Sequence, residues 1–496
     1  MKYQTKVRPY PHQEKALERM NGRNSFGLLM AMRTGKTKVL LDNFGQLELD
    51  GKVKDLLVIA PAGVYRTWET AIKDHVSDDL QKRLSIYTWS SAGSETQSEK
   101  LRRLTFVEAT GPRVLLMNVE ALSSVERARK FCLDFLDAPN KAMIAIDEST
   151  CCKSHKAKRT KFIINELGKR ATYRRILSGL PTPRSPLDLY CQFEFLDPNI
   201  LGFRSYWAFR ATCAITKKIP VGGRSIEVIV GYRQPVVEML QQRIEPHSFR
   251  VPFRPNIPST YTIREVRMTE EQQRIYSEIK NFATAQLEQD SHVTATVVIA
   301  QILRLHQVLC GHVRNEQGQL YEIPELRTAE LLELLDDYTG KAIIWCSYDH
   351  SINKVCKALA QEYPAQDHFG RPLATQPWPH PHIARFWGGN IATREQEEKR
   401  FLTEPNCRFM VSTPAAGGRG RTWSNADLVV YYSSTNDLEH RDQSEQRAQG
   451  MDKKKQVDYI DLIATGTVET KILQALRRKI NMAATITGDQ WKEWIV

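Results

Sequence analysis

The segment Met30 to Thr37, MAMRTGKT, follows the apolar run GLLM and ends on a glycine, a lysine and a hydroxyl in direct succession: Gly35, Lys36 and Thr37. Between a strand and a helix, this trio supplies what a triphosphate needs. Backbone N–H groups at the helix start cradle phosphate, Lys36 meets the β and γ groups, and Thr37 holds magnesium. Arg33 and Thr34 complete the loop, while Met30 stands where the strict eight-residue pattern has its first glycine. A second segment, AMIAIDEST, ends an apolar strand with adjacent carboxylates, Asp147 and Glu148. Their roles would divide, Asp147 towards the metal and Glu148 towards an attacking water. A solvated turn at a strand end explains such a pair equally well when it is taken alone.

Elements must place these groups together. The runs FGLLMAM, DLLVIAPA, RVLLMNV, AMIAIDE and RRILSGL read as buried parallel strands, with Thr37 to Leu49 and Val64 to His75 as crossover helices. A doubly wound sheet follows, and its ligands bind at the strand C-terminal ends. From Asn199 to Ser259 the pattern is irregular and rich in glycine and proline, which reads as a protrusion and linker. Thr269 opens TEEQ, a capping box in which Thr269 and Gln272 satisfy backbone donors at a helix start. A second strand series runs through KAIIWCSY, HIARFWGG, CRFMVSTP, ADLVVYYS and VDYIDLIA. The expected organisation is an ATP-binding lobe over 1–198, a protrusion and linker over 199–265, and a second lobe over 266–496. That second lobe includes a helical connector and a Pro/His-rich insertion near 367–381, carrying His368 and His380, with His382 just beyond. Prolines and turns account for the insertion better than a metal does.

Lys and Arg total 70 against 57 Asp and Glu, a formal charge of +13, which favours a polyanionic partner. The nine cysteines show neither zinc spacing nor a dense disulfide framework, so a reducing cytoplasm is expected. No apolar run approaches the length needed to span a bilayer. Trp68, Trp387 and Trp423 read as packing residues more readily than as base-stacking ones, and the basic runs Lys153 to Lys161 and Lys453 to Lys455 fit either phosphate contact or a solvated face.

With both motifs in place, the chain resembles the Swi/Snf-type branch of superfamily-two helicase-fold ATPases. RPYPHQ is similar to the family's N-terminal glutamine motif, which implies that Gln13 reads adenine. LLVIAPAGVYRTWETAI, VLLMNVEAL, DEST, RRILSGLPTPRSPLDLYCQFEFLDP, IIWCSY, RFWGGN, STPAAGGRGRTWSNADLVVYYS and QSEQRAQG follow in family order. DEST stands where many relatives have DEAH, Leu180 replaces a usual threonine, and Gly450 replaces a usual second arginine.

The resemblance implies an α/β fold of two tandem RecA-like parallel-sheet lobes with ATP bound in the cleft between them. It assigns Lys36, Asp147, Glu148 and Arg447 to catalysis, with Arg447 facing the γ-phosphate. Gln13, Arg33, Thr34, Gly35, Lys36, Thr37 and Gly418 bind nucleotide, and Thr37 and Asp147 hold Mg2+. Arg419 and Arg421 are further candidates for the γ-phosphate. The expected activity is ATP-dependent DNA translocation or helicase action on duplex, forked or branched DNA, structure-selective and without sequence preference. The expected setting is the cytoplasm of a bacterium or phage-infected cell, and a replication or recombination protein would recruit the motor. A nucleotide-gated DNA-binding subunit with weak ATPase, and an RNA helicase, are the alternatives.

Overall fold

The computed structural model describes residues 2–487, except 63, 91–95, 139, 222–223, 253–256, 290–294, 316, 368, 374, 419–421, 436 and 451–452. His368, Arg419 and Arg421 therefore lie outside the described residues. The chain forms two compact units, the first mainly Met1–Ile215 with Gly231–Arg254, the second mainly Thr216–Val230 with Pro255–Ile480.

The first unit is built on β1 (Ser25–Met30), β2 (Asp55–Ala60), β3 (Ser85–Thr88), β4 (Arg113–Asn118), β5 (Ala142–Ile146) and β6 (Tyr173–Leu177). Each of the five apolar runs expected to be a strand is one. Their near-continuous apolar sequence reflects burial of both faces. Phe26, Leu28, Leu56, Val58 and Met143 enter one hydrophobic cluster, and Leu29, Leu57, Ile59, Ile144 and Ile146 enter another across the sheet. This is the period-two alternation of a strand carried through a covered sheet. Helix α1 (Pro11–Met20) precedes β1, α2 (Lys36–Leu49) follows it, and α3 (Thr67–His75) follows β2.

The irregular region contains more structure than its sequence suggests. β7 (Ala214–Val221) and β8 (Arg224–Tyr232) form a separate two-stranded hairpin, and β9 (Ser248–Val251) adds to the first sheet. The sheet order is β3-β4-β2-β5-β6-β1-β9, with β9 parallel to β1 from Gly27↔Ser248 to Met30↔Val251. A boundary at 198 therefore falls inside the first unit, because the edge strand of its sheet arrives only at Ser248. The composition hid this strand: it is four residues long, and only Ser248 is fully buried.

In the second unit β10 (Thr260–Glu265), β13 (Ala342–Trp345), β14 (Ile383–Phe386), β15 (Phe409–Ser412), β16 (Leu428–Tyr431) and β17 (Asp458–Ile463) form a parallel sheet. The small antiparallel pair β11 (His312–Arg314) and β12 (Leu320–Glu322) stands apart from it. The sheet order is β10-β17-β16-β13-β15-β14. The outer β10 lay within the expected linker; its residues are exposed or half-buried, so no apolar run marks it. The TEEQ capping box is present, with Thr269 N donating to Gln272 Oε1 at 3.1 Å and Gln272 N to Thr269 Oγ1 at 3.2 Å. The fold is thus α/β with two parallel-sheet lobes, as the resemblance implies. Among the described residues no helix is long and apolar enough to cross a membrane.

Candidate functional site

The site of the first unit grows from the C-terminal ends of β1 and β5. After Met30 the chain turns through Arg33 at φ 64° and Gly35 at φ 84°, both left-handed, before α2 begins at Lys36. Two such residues so close together curl the backbone into a concave loop whose N–H groups suit an anion. Gly35 suits this turn on conformation first, and any side chain there would also have to displace Gln13. The φ of Gly35 is costly for any side chain, and an added Cβ would stand 2.1 Å from Gln13 Nε2.

Gln13 holds this loop to α1. Its Oε1 accepts from Tyr10 N at 2.9 Å, and its Nε2 donates to Thr34 O at 3.1 Å. The same carbonyl accepts from His12 Nε2 at 2.8 Å, a contact between residues 22 apart that no local pattern marks. Thr34 Oγ1 closes the loop on Ala31 O at 2.7 Å. Lys36 is buried and Thr37 half-buried in the first turn of α2.

Asp147 follows β5, and two hydrogen bonds hold its carboxylate. Trp68 Nε1, from α3, donates to its Oδ2 at 3.0 Å, and Glu148 N donates to its Oδ1 at 3.0 Å. Burial pushes the Asp147 carboxyl above its ordinary value, and the charge of Lys36 with these two N–H donors pulls it back. Glu148 takes a left-handed φ of 45° and stays half-buried. Trp68, expected to pack more readily than to stack on bases, is 1% exposed and also directs the carboxylate. The two partners are separated by the whole run from β2 to β5, so no local pattern announces the pair.

Behind the carboxylates, Ser149 Oγ donates to Gln192 Oε1 at 2.6 Å, while Gln192 Nε2 donates to Pro181 O at 2.7 Å and Asp188 O at 2.8 Å. Buried Ser149 and Gln192 thus tie the DEST turn to the SGLPTP segment. Gly179 of that segment lies against the phosphate loop, where a Cβ would be 3.4 Å from Met32 N.

The structure brings Gln13, Arg33, Thr34, Gly35, Lys36, Thr37, Asp147 and Glu148 into the first unit. Gly418 and Arg447 belong to the second unit, where both adjoin Gln443. A Cβ on Gly418 would approach Gln443 Cβ at 3.5 Å and Pro414 O at 2.2 Å. The buried Arg447 donates from Nε to Gln443 O at 2.8 Å. Trp423 is fully buried, stacks on Trp345 with centroids 5.5 Å apart, and donates to Glu398 Oε1 at 2.8 Å, so it packs the second core.

Among the described residues one potential metal cluster occurs, His306, Cys310 and Glu469. Arg327 already occupies it, donating to both Glu469 oxygens at 2.9 and 2.7 Å, and holds that carboxyl well below its usual range. A buried guanidinium in this position makes the cluster a structural ion pair. In the Pro/His-rich insertion His380 meets Gln376 Oε1 at 3.1 Å, and His382 meets Asn406 O at 3.0 Å.

The chain is 24% identical over 396 residues to the TATA-binding protein-associated factor mot1 of Aspergillus fumigatus, an alignment covering 70% of this chain and 20% of that protein. It is 22% identical over 490 residues to YwqA of Bacillus subtilis, a candidate ATP-dependent helicase/translocase, covering 95% of this chain and 47% of that one. The chain thus spans a fifth to about half the length of these relatives. The Sulfolobus solfataricus SWI2/SNF2 ATPase core in complex with dsDNA aligns over 99% of this chain and 96% of its own, at 20% identity and a TM-score of 0.41. The model of the SNF2-related domain matches residues 12–314, a stretch that runs from α1 through the phosphate loop and the carboxylate turn. A match over more than half its length, carrying both motifs, makes this chain a member of the SNF2-related domain family.

Proposed function

We propose that this chain is an ATP-driven DNA translocase, coupling hydrolysis to movement on duplex, forked or branched DNA. The observation that carries the reading is the convergence of a left-handed phosphate loop, Lys36 and a buried, doubly hydrogen-bonded Asp147 in one parallel-sheet unit. Lys36 binds the β and γ phosphates, Gln13 belongs to the adenine side, and the loop from Arg33 to Gly35 presents its backbone N–H groups. Thr37 and Asp147 suit magnesium: one offers a hydroxyl in the first turn of α2, the other a carboxylate held in place by Trp68 and Glu148 N–H. The ion would supply charge neutralisation on the phosphates. Glu148 orients the attacking water and accepts its proton. Gly418 and Arg447 are the second unit's contribution, with the arginine stabilising charge that develops on the γ-phosphate.

A basic chain of +13 suits phosphate contacts made without sequence readout. The setting proposed is the cytoplasm of a bacterial or phage-infected cell, with recruitment by a replication or recombination protein. The deciding experiment is ATP hydrolysis with no nucleic acid, single-stranded DNA, duplex DNA, forked DNA or RNA. Strong stimulation by DNA that disappears in Lys36→Ala is the expected result. Folded, ATP-binding protein whose turnover ignores DNA would overturn it, and preferential stimulation by RNA would assign an RNA motor.

A further inference from the structure

Beyond the nucleotide groups, the first unit carries an exposed aromatic residue in contact with a histidine of a lysine-rich segment. The helix Tyr206–Cys213 begins at Ser205, whose Oγ accepts from Ala208 N at 3.2 Å. Phe209 and Cys213 are fully buried, while Trp207 is 58% exposed. This indole is framed by other rings. His155 stacks on Tyr206 with centroids 3.6 Å apart and an interplanar angle of 18°, and meets Trp207 edge-on at 5.6 Å and 78°. Tyr206 rests in turn on Tyr190 at 5.7 Å, so the exposed ring stands on a fixed aromatic base.

His155 belongs to the segment KSHKAKRTK, residues 153–161, which contains Lys153, Lys156, Lys158, Arg159 and Lys161 and no carboxylate. Lys156, Lys158 and Lys161 are exposed. His155 thus joins the rings to this lysine-rich segment, and burial, then the charges of Lys156 and Lys161, lower its pKa. Arg159 Nε donates to Cys151 O at 3.1 Å and anchors the segment to the turn that follows Asp147 and Glu148.

We propose that Trp207 and the lysines of residues 153–161 form a platform for single-stranded DNA, with an unpaired base stacked on the indole and the adjoining phosphates on the ammonium groups. The inference rests on the reading of the chain as a DNA motor and names the strand form it recognises. Paired bases are already stacked and offer a protein mainly their phosphates, so the lysines bind either form and the tryptophan selects the unpaired one. A fork or a frayed end presents both features together. Because the platform is tied to the carboxylate turn through Arg159 and Cys151, an occupied platform adjoins the residues proposed for hydrolysis.

The test uses the full chain, with anisotropy of a labelled oligothymidylate and of a blunt duplex of equal length across a salt series. Trp207→Ala is expected to weaken single-strand binding about tenfold and to change duplex affinity less than about twofold, because stacking contributes to the unpaired base alone. Trp207→Phe should recover most of the loss. The double variant Lys156→Glu, Lys161→Glu should weaken both forms and reduce the salt dependence of each. Equal affinities of Trp207→Ala and the parent for both DNA forms would overturn the platform while leaving duplex-stimulated ATPase, and the motor reading, in place. A parent protein that binds neither form and shows no DNA-stimulated hydrolysis would overturn both. If Trp207→Ala instead abolished self-association seen by sedimentation, with DNA binding unchanged, the face would belong to a second copy of the chain and the proposal would fail.

Discussion

Asp147 depends on a residue from another strand-helix unit. Trp68 Nε1 donates to Oδ2 in a buried setting, where a charge-assisted bond is stronger than one at the surface. Trp68→Phe keeps most of the ring and removes the donor. Since that bond favours the ionised carboxylate, its loss raises the Asp147 pKa further above its ordinary value. The acid limb of the pH-rate profile should move to higher pH, and kcat should fall about tenfold at neutral pH with KM for ATP little changed. A pH series of steady-state ATPase rates checks this, and an unmoved acid limb would make Trp68 a packing residue only. At this scale the sequence disclosed residues whose own chemistry is distinctive: a lysine after glycine, and two carboxylates after an apolar strand. It did not disclose Trp68, His12 or Gln192, whose importance lies in what they reach across the fold.

The phosphate loop behaves as a small assembly of α1, β1 and α2. Gln13 pins Thr34 O, Thr34 Oγ1 pins Ala31 O, and Gly35 takes a conformation that a side chain resists. Gly35→Ala adds left-handed strain of roughly 1 kcal/mol and drives Gln13 Nε2 from its place. ATP affinity should drop at least about tenfold while the thermal midpoint falls only a few degrees, measurable by calorimetric titration and scanning calorimetry. Central strands and the capping box at Thr269 were legible because burial on two faces and helix-start chemistry leave strong local patterns. Edge strands β9 and β10 were not, since their exposed or half-buried residues carry no run of apolar side chains.

Across the whole molecule, stability should fall in mild acid through groups buried uncharged. His312 is 2% exposed and pushed down to about 4 from its ordinary 6.5, first by burial and then by the nearby charges of His350, Lys354 and Arg314, against a hydrogen bond that its Nδ1 donates to Cys310 O. Between these two values the unfolded chain binds the proton and the folded chain does not. Protonation therefore favours unfolding, and stability declines as pH falls through that window. His312→Gln should flatten the decline by about 1 to 3 kcal/mol between about pH 7 and about pH 4, read from urea unfolding of the second unit. The division into two parallel-sheet lobes was legible from the two strand series, whereas the true extent of the first lobe was not. The hairpin of β7 and β8 interrupts it, and its last strand returns from beyond that interruption.

That return has a consequence for how the protein is made. β9 pairs with β1, the strand that delivers the phosphate loop, yet the two are separated by more than two hundred residues of chain. During synthesis from the N-terminus, the open side of β1 waits with unpaired backbone groups until Val251 has left the ribosome. The first unit thus completes itself late, after the Trp207 helix and the hairpin have emerged. A nascent or truncated chain that stops at residue 198 carries both motifs but exposes the edge beside its most important loop, a site where another polypeptide can add a strand.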